Sequence, residues 1–120
     1  MADVTIWHNP NCSTSRHAVT VAENAGVDVE LRKYMLKSQR PERAEIEALL
    51  GILDDPATDL VRRDAKFKGY GLGDDDVSTA AQVADVLAEH PELLQRPVLV
   101  RGDRAIIGRP KDRVEPFLAG

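Results

Sequence analysis

The apolar positions of this chain switch between strand and helix periods. Val4-Thr5-Ile6-Trp7 is a short run of β-favouring residues ended by the turn-forming segment His8-Asn9-Pro10-Asn11, which predicts a buried strand and then a loop. Ala18, Val21, Ala22 and Ala25 follow at i, i+3, i+4 and i+7, one face of a helix over about residues 13–25, with Gly26 as its C-terminal cap. Val27, Val29 and Leu31 alternate with polar residues and predict a second strand ending near Tyr34. Strand, helix and strand in so short a span imply a right-handed βαβ unit. Ile46, Leu49, Leu50 and Leu53 return to the helical period behind the opening residues Pro41 and Glu42, until Asp54-Asp55-Pro56 breaks it. A shorter helix is expected to carry Leu60, Val61, Arg62 and Arg63. Residues 64–77, with three glycines and Asp74-Asp75-Asp76, read as a mobile surface loop. Ser78 is the expected N-cap of a helix bearing Ala80, Val83, Ala84 and Leu87, which stops at His90-Pro91. Val98–Arg101 and Arg104–Ile107 flank Gly102-Asp103, a glycine-first connection that suits a type II′ hairpin. Gly108-Arg109-Pro110 then enters a last helix, with Pro110 near its first position and Val114, Phe117 and Leu118 on one face.

The order βαβ, helical segment, ββα is that of a thioredoxin-like domain, an α/β fold with a mixed four-stranded sheet. One domain over 1–120 is expected, with its core in about 1–36 and 92–120 and a helical insert at about 40–91. Pro97 stands at the entry of a strand that should be central, where a proline otherwise removes a ladder hydrogen bond. Thioredoxin-like domains put a cis proline here, so Arg96-Pro97 is expected to be cis with Arg96 facing Cys12; the alternative is a trans proline at a strand entry.

Composition narrows the function. With 120 residues and only 4% aromatics, the core is aliphatic. A net charge of −4 and a pI near 5.3 argue against bulk electrostatic binding to nucleic acid or an anionic membrane, so any anion must be held locally. The first residues carry no basic n-region before an apolar stretch, and no apolar run reaches membrane-spanning length; a cytoplasmic monomer is the expectation. His17 and His90 show no metal-ligand spacing and are expected to be structural, and Arg16 to lie on a helix surface.

Cys12 is the only cysteine, placed where the first helix begins. Unpaired N–H groups and the positive end of the helix dipole favour a thiolate there, and such cysteines reach pKa values of roughly 3.5–7.5. The alternative is a small buried hydrophobe. One thiol cannot form an intramolecular disulfide or a Cys-rich zinc site, so a redox cycle through Cys12 needs a second thiol from outside the chain.

His8-Asn9-Pro10-x-Cys12-x-Thr14-Ser15-Arg16, Leu60-Val61-Arg62-Arg63, Gln95-Arg96-Pro97-Val98-Leu99-Val100 and Gly108-Arg109-Pro110, in this order and spacing, resemble the glutaredoxin-coupled ArsC arsenate reductases. The resemblance implies that Cys12 attacks arsenate and that Arg62, Arg96 and Arg109 hold the oxyanion and its thiolate adduct. Guanidinium groups suit the task because they stay charged and offer paired donors. Arg63 can take the place of Arg62. His8 either assists thiolate formation or caps the loop, and Ser15, more than Thr14, either donates to the sulfur or pairs with backbone. Electrons would come from glutathione or another low-molecular-weight thiol, passed on by a glutaredoxin-type carrier; no bound cofactor or metal is implied.

Other readings stay open. Phosphatase-loop arsenate reductases need an arginine where Ala18 stands and further cysteines, and are disfavoured. An Spx-like regulator that binds RNA polymerase shares the fold, but Ser15 occupies the second position of its usual Cys-x-x-Cys switch. A glutathione-dependent thiol reductase with no action on arsenate would have no need of all three arginines.

Overall fold

The computed structural model describes residues 3–119. Residues 1, 2 and 120, the ends of the expected domain, lie outside the described residues. Four short strands, β1 (Val4–Trp7), β2 (Val29–Arg32), β3 (Val98–Arg101) and β4 (Arg104–Ile107), form one sheet in the order β2-β1-β3-β4. β1 and β2 are parallel, while β1–β3 and β3–β4 are antiparallel, so the sheet is mixed. This is the thioredoxin-like arrangement, with β1 and β3 central and the site-bearing loops leaving from their ends.

The period-two pattern of each strand sorts its side chains onto two covered faces. Val4, Ile6, Leu99 and Ile106 pack against α1 (Ser13–Asn24) and α5 (Val114–Ala119). Trp7, Val98, Ala105 and Ile107 point to the other face, where the insert supplies α2 (Arg43–Ile52), α3 (Ala65–Gly69) and α4 (Ala80–Glu89). Gly26, at φ +74°, ends α1 in the left-handed region that favours glycine. Gly102 has φ +62°, while no non-glycine residue among those described has positive φ; Asp103 therefore excludes type I′ and leaves the expected type II′ turn.

The insert departs from the sequence reading in three places. Leu60–Arg63 is not a helix: a 3₁₀ turn ends at Leu60, and Val61 bridges antiparallel to Leu94. Backbone bonds from Arg62 N to Leu93 O (2.8 Å) and from Gln95 N to Leu60 O (2.7 Å) replace the local helical ones. Residues 64–77 are no bare surface loop, because Phe67 and Val77 are buried and anchor it. Asp64 caps α3 by accepting from Phe67 N at 3.1 Å, and a second 3₁₀ turn spans Asp74–Val77. The cap of α4 is Thr79 rather than Ser78: Thr79 Oγ1 accepts from Gln82 N at 3.2 Å, and Gln82 Oε1 accepts from Thr79 N at 3.1 Å, a complete capping box. Smaller shifts shorten β2 to Val29–Arg32 and place a 3₁₀ turn, Lys111–Arg113, between Pro110 and α5. The insert is tied to the sheet by Arg32, which makes a bidentate pair with Glu45 (2.7 and 3.1 Å) and stacks over Trp7. On the opposite side Asp55 accepts from Ile107 N at 2.9 Å and pairs with Arg113 at 2.9 Å.

Candidate active site

Cys12 is the N-cap residue of α1, with extended backbone (φ −104°, ψ 123°). Its N–H donates to Asn9 O at 3.0 Å and its carbonyl accepts from Arg16 N at 3.0 Å, so the thiol is delivered at the mouth of the helix. Asn9 Oδ1 accepts from Asn11 N, and Arg16 Nη1 donates to Pro10 O at 2.8 Å; both brace the loop. Burial pushes the Cys12 pKa up, but the N–H of Ser15, the Arg96 guanidinium and the N–H of Thr14 outweigh it. The balance brings the thiol down from 9.0 to about 7.

His8, Asn9 and Ser15 are buried behind the thiol. Ser15 Oγ lies 2.6 Å from His8 Nδ1 and accepts from Asn9 N at 3.1 Å. Its hydroxyl is thus committed to His8 and the loop, and it is the Ser15 main-chain N–H that serves the sulfur. Burial, then Lys33 and Arg16, lower the His8 pKa, so the imidazole is neutral at neutral pH. His17 is half-buried on α1, and His90 stacks on Tyr70 at 3.9 Å beside Glu92. Among the described residues no three His, Cys, Asp or Glu side chains are grouped to hold a metal.

Arg109 Nη2 donates to Cys12 Sγ at 3.3 Å, while its Nε donates to Arg96 O at 2.7 Å. Both arginines precede cis peptide bonds, Arg96–Pro97 as expected from the fold and Arg109–Pro110 in addition. Gly108 lets the two segments meet: its N–H donates to Pro97 O at 2.8 Å, and a Cβ there would stand 2.8 Å from Pro97 Cγ. Arg113 Nη1 donates to Ile107 O at 2.9 Å and to Arg109 O at 3.3 Å, fixing the loop that carries Arg109.

Arg62 and Arg63 are separated by their partners. Arg63 is turned back on Thr58 and Val61 carbonyls and on Asp74. Arg62 pairs with Asp64 at 3.2 Å, and an open pocket of about 230 Å³ is lined by both arginines together with Asp64, Gln95 and Arg109. The Val61–Leu94 bridge is what brings the Arg62 segment against the Arg96 segment. Cys12, Arg96 and Arg109 therefore converge from three separate stretches of chain, and Arg62 adjoins Arg109 from a fourth. Such a cluster can hold a tetrahedral oxyanion next to a thiolate.

Tyr34, Asp55 and Arg113 belong to this neighbourhood and left no signal in the sequence. Tyr34 is fully buried, and burial pushes its pKa up to about 12 against the lowering charges of Arg96 and Arg62. Asp55 marked only a helix break, and Arg113 sat in a charged helix start.

The family model of the ArsC family matches residues 7–117. An arsenate reductase of Haemophilus influenzae is 36% identical over 116 residues, covering 96% of this chain and 98% of that protein. One of Neisseria meningitidis is 32% identical over 120 residues, covering 98% of this chain and all of the relative. Among solved structures, the arsenate reductase from Vibrio cholerae superposes with a TM-score of 0.79 at 32% identity, over 94% of this chain and 95% of that one.

Proposed function

The chain belongs to the ArsC family, and from that membership we propose that it reduces arsenate to arsenite through Cys12, using electrons from glutathione or a similar low-molecular-weight thiol and a glutaredoxin-type carrier. The observation that carries the reading is the single thiol with a pKa of about 7, in hydrogen-bond contact with Arg109 and beside Arg96. At neutral pH a large part of Cys12 is thiolate, and the same guanidinium groups that stabilise it attract its oxyanion target.

In this mechanism Cys12 Sγ attacks arsenic, and one arsenate oxygen, taking up protons, leaves as water. A small thiol then condenses with the adduct, a second oxygen leaving as water, so that pentavalent arsenic carries two sulfurs. The carrier thiolate attacks the sulfur of the small thiol: a carrier–small-thiol disulfide forms, the electron pair of the broken As–S bond stays on arsenic, which becomes trivalent on Cys12, and water then cleaves the As–Cys12 bond, releasing arsenite and free Cys12. Over the cycle arsenic gains two electrons, and two external thiols become one disulfide. Each arginine–oxyanion hydrogen bond is expected to contribute about 1.5–3 kcal/mol. In this reading the protein works as a monomer in the cytoplasm, where such thiols are kept reduced.

Arsenate-dependent thiol oxidation, measured with several thiols and glutaredoxin-type donors, tests the proposal. The parent turns over, Cys12→Ser does not while keeping its circular dichroism, and Arg96→Ala loses about 10- to 100-fold in kcat/KM. If no donor supports turnover by the parent, the reductase reading falls; polymerase binding in its place would support the regulator reading.

A further inference from the structure

β4 is an edge strand, paired with β3 on one side only. The helical insert meets its outer edge instead: Leu53 bridges in parallel to Ala105, Asp54 N donates to Ala105 O at 2.8 Å, and Asp55 Oδ2 accepts from Ile107 N at 2.9 Å. The two consecutive aspartates then take different partners. Asp54 pairs with Arg104 at 2.7 Å, at the start of β4. Asp55 Oδ1 lies 2.9 Å from Arg113 Nη1, at the other end, where the chain leaves β4 for the Arg109 loop. The same Nη1 donates to Ile107 O at 2.9 Å and to Arg109 O at 3.3 Å. One carboxylate and one guanidinium thus hold the main chain on both sides of Gly108. The Arg109 side chain has little else to direct it. Its hydrogen bonds among the described residues go to Arg96 O at 2.7 Å and Cys12 Sγ at 3.3 Å, and neither acceptor is a carboxylate. It also borders an open pocket of about 360 Å³ shared with Asp55, Gln95 and Arg113, so packing leaves it room to turn away. A long side chain with many rotamers points where its main chain aims it.

We infer that the Asp55–Arg113 ion pair is a positioning clamp for Arg109, fixing residues 107–109 so that the Arg109 guanidinium meets the Cys12 sulfur. The inference rests on the reading of Cys12 and Arg109 as partners in the active site and assigns the residues that align them. Asp55 and Arg113 make no hydrogen bond to the sulfur themselves; they act through Arg109. The Asp55 side chain is 15% exposed against 41% for Asp54, so water and salt screen its pair less than the neighbouring one. Asp55 stands in the insert, Ile107 ends β4 and Arg113 precedes α5, so the clamp joins three parts of the fold at the loop that carries Arg109. Through Asp55 the insert helps to set the reactivity of a thiol held by the other half of the domain.

Asp55→Asn keeps an acceptor for Ile107 N and removes the charge that holds Arg113, while Arg113→Met keeps the stem and removes the donors. Each should raise the pH midpoint of Cys12 alkylation by iodoacetamide, near 7 in the parent, by about 0.5–1 pH unit. Asp54→Asn is the control: it breaks the neighbouring pair between the same two segments and has no contact with residues 107–109, so the midpoint should stay at the parent value. Arg109→Ala raises the midpoint by itself, and adding Asp55→Asn to it should raise it no further, because the clamp acts through Arg109. A merely structural ion pair would leave the midpoint of the folded variants unchanged, and that result overturns the inference. So does an equal rise in Asp54→Asn, a parent midpoint in Arg109→Ala, or a full further rise in the double variant. Circular dichroism identifies the folded variants, and Asp55→Asn alone decides the matter if Arg113→Met does not fold. Protection of Cys12 from iodoacetamide by arsenate, and separately by phosphate, tests the oxyanion reading apart from the clamp. Absence of protection in the parent by either anion overturns that reading, while the alkylation midpoints, measured without any anion, still decide the clamp.

Discussion

At the scale of single residues, the sulfur of Cys12 answers to a few hydrogen atoms. Two main-chain N–H groups and a guanidinium overcome burial and set its pKa at about 7. The rate of iodoacetamide alkylation should therefore rise sigmoidally with a midpoint near pH 7, well below that of an ordinary thiol. The same shift links to stability, with a definite sign. The folded state prefers the thiolate, so the contribution is complete above the unfolded value of 9.0 and is lost as pH falls through about 7. Urea midpoints of the parent and of Cys12→Ser, compared under reducing conditions, should diverge in favour of the parent between pH 7 and 9. The lowered pKa of His8 acts in the same direction at lower pH and is common to both proteins, so the comparison isolates the thiol. Arg109→Ala removes the donor to Sγ and, in the proposed mechanism, a ligand of the oxyanion. It should move the alkylation midpoint upward and reduce kcat/KM for arsenate by about 10- to 100-fold.

At the scale of elements, the site depends on how closely the end of β4 approaches the start of β3. A Cβ on Gly108 would meet Pro97 Cγ at 2.8 Å and Leu99 Cδ1 at 2.9 Å, both in buried side chains with little room to yield. Gly108→Ala should cost about 1–3 kcal/mol in urea unfolding and displace Arg109, lowering turnover as well. Thr79→Ala is the contrasting case. It breaks the capping box of α4, far from Cys12 in the chain, and should cost about 1 kcal/mol of stability with turnover unchanged. Position 79 also shows where local reading slips. Ser78 and Thr79 are both good caps in sequence, and only the reciprocal bonds with Gln82 distinguish them.

At the scale of the whole molecule, the insert is a structural partner of the sheet as well as its cover. Phe67 anchors α3, whose cap Asp64 also holds Arg62. Phe67→Ala should cost about 3–5 kcal/mol, a large share of the stability of a domain of this size, and should weaken oxyanion protection of Cys12 by freeing Arg62. Denaturant unfolding and the protection assay on the same samples check both parts.

The sequence by itself determined the local and periodic features. The strand of Val4–Trp7, the helix ended by Gly26, the Gly102-Asp103 hairpin and the place of Cys12 at a helix start follow from side-chain spacing and turn chemistry, which depend on interactions within a few residues and leave a mark on local pattern. Arg96 and Arg109 stood out only through motifs that resemble the ArsC family. The pairing of Val61 with Leu94, the different partners of Arg62 and Arg63, the service of the sulfur by the Ser15 main chain, and the burial of the Tyr34 hydroxyl were decided only in the tertiary structure. Each is a contact whose free energy depends on what a distant segment brings to the same place. A helical propensity at Leu60–Arg63 yields to two backbone hydrogen bonds with residues 93–95, which make up the Val61–Leu94 bridge, and nothing in the local pattern records that competition.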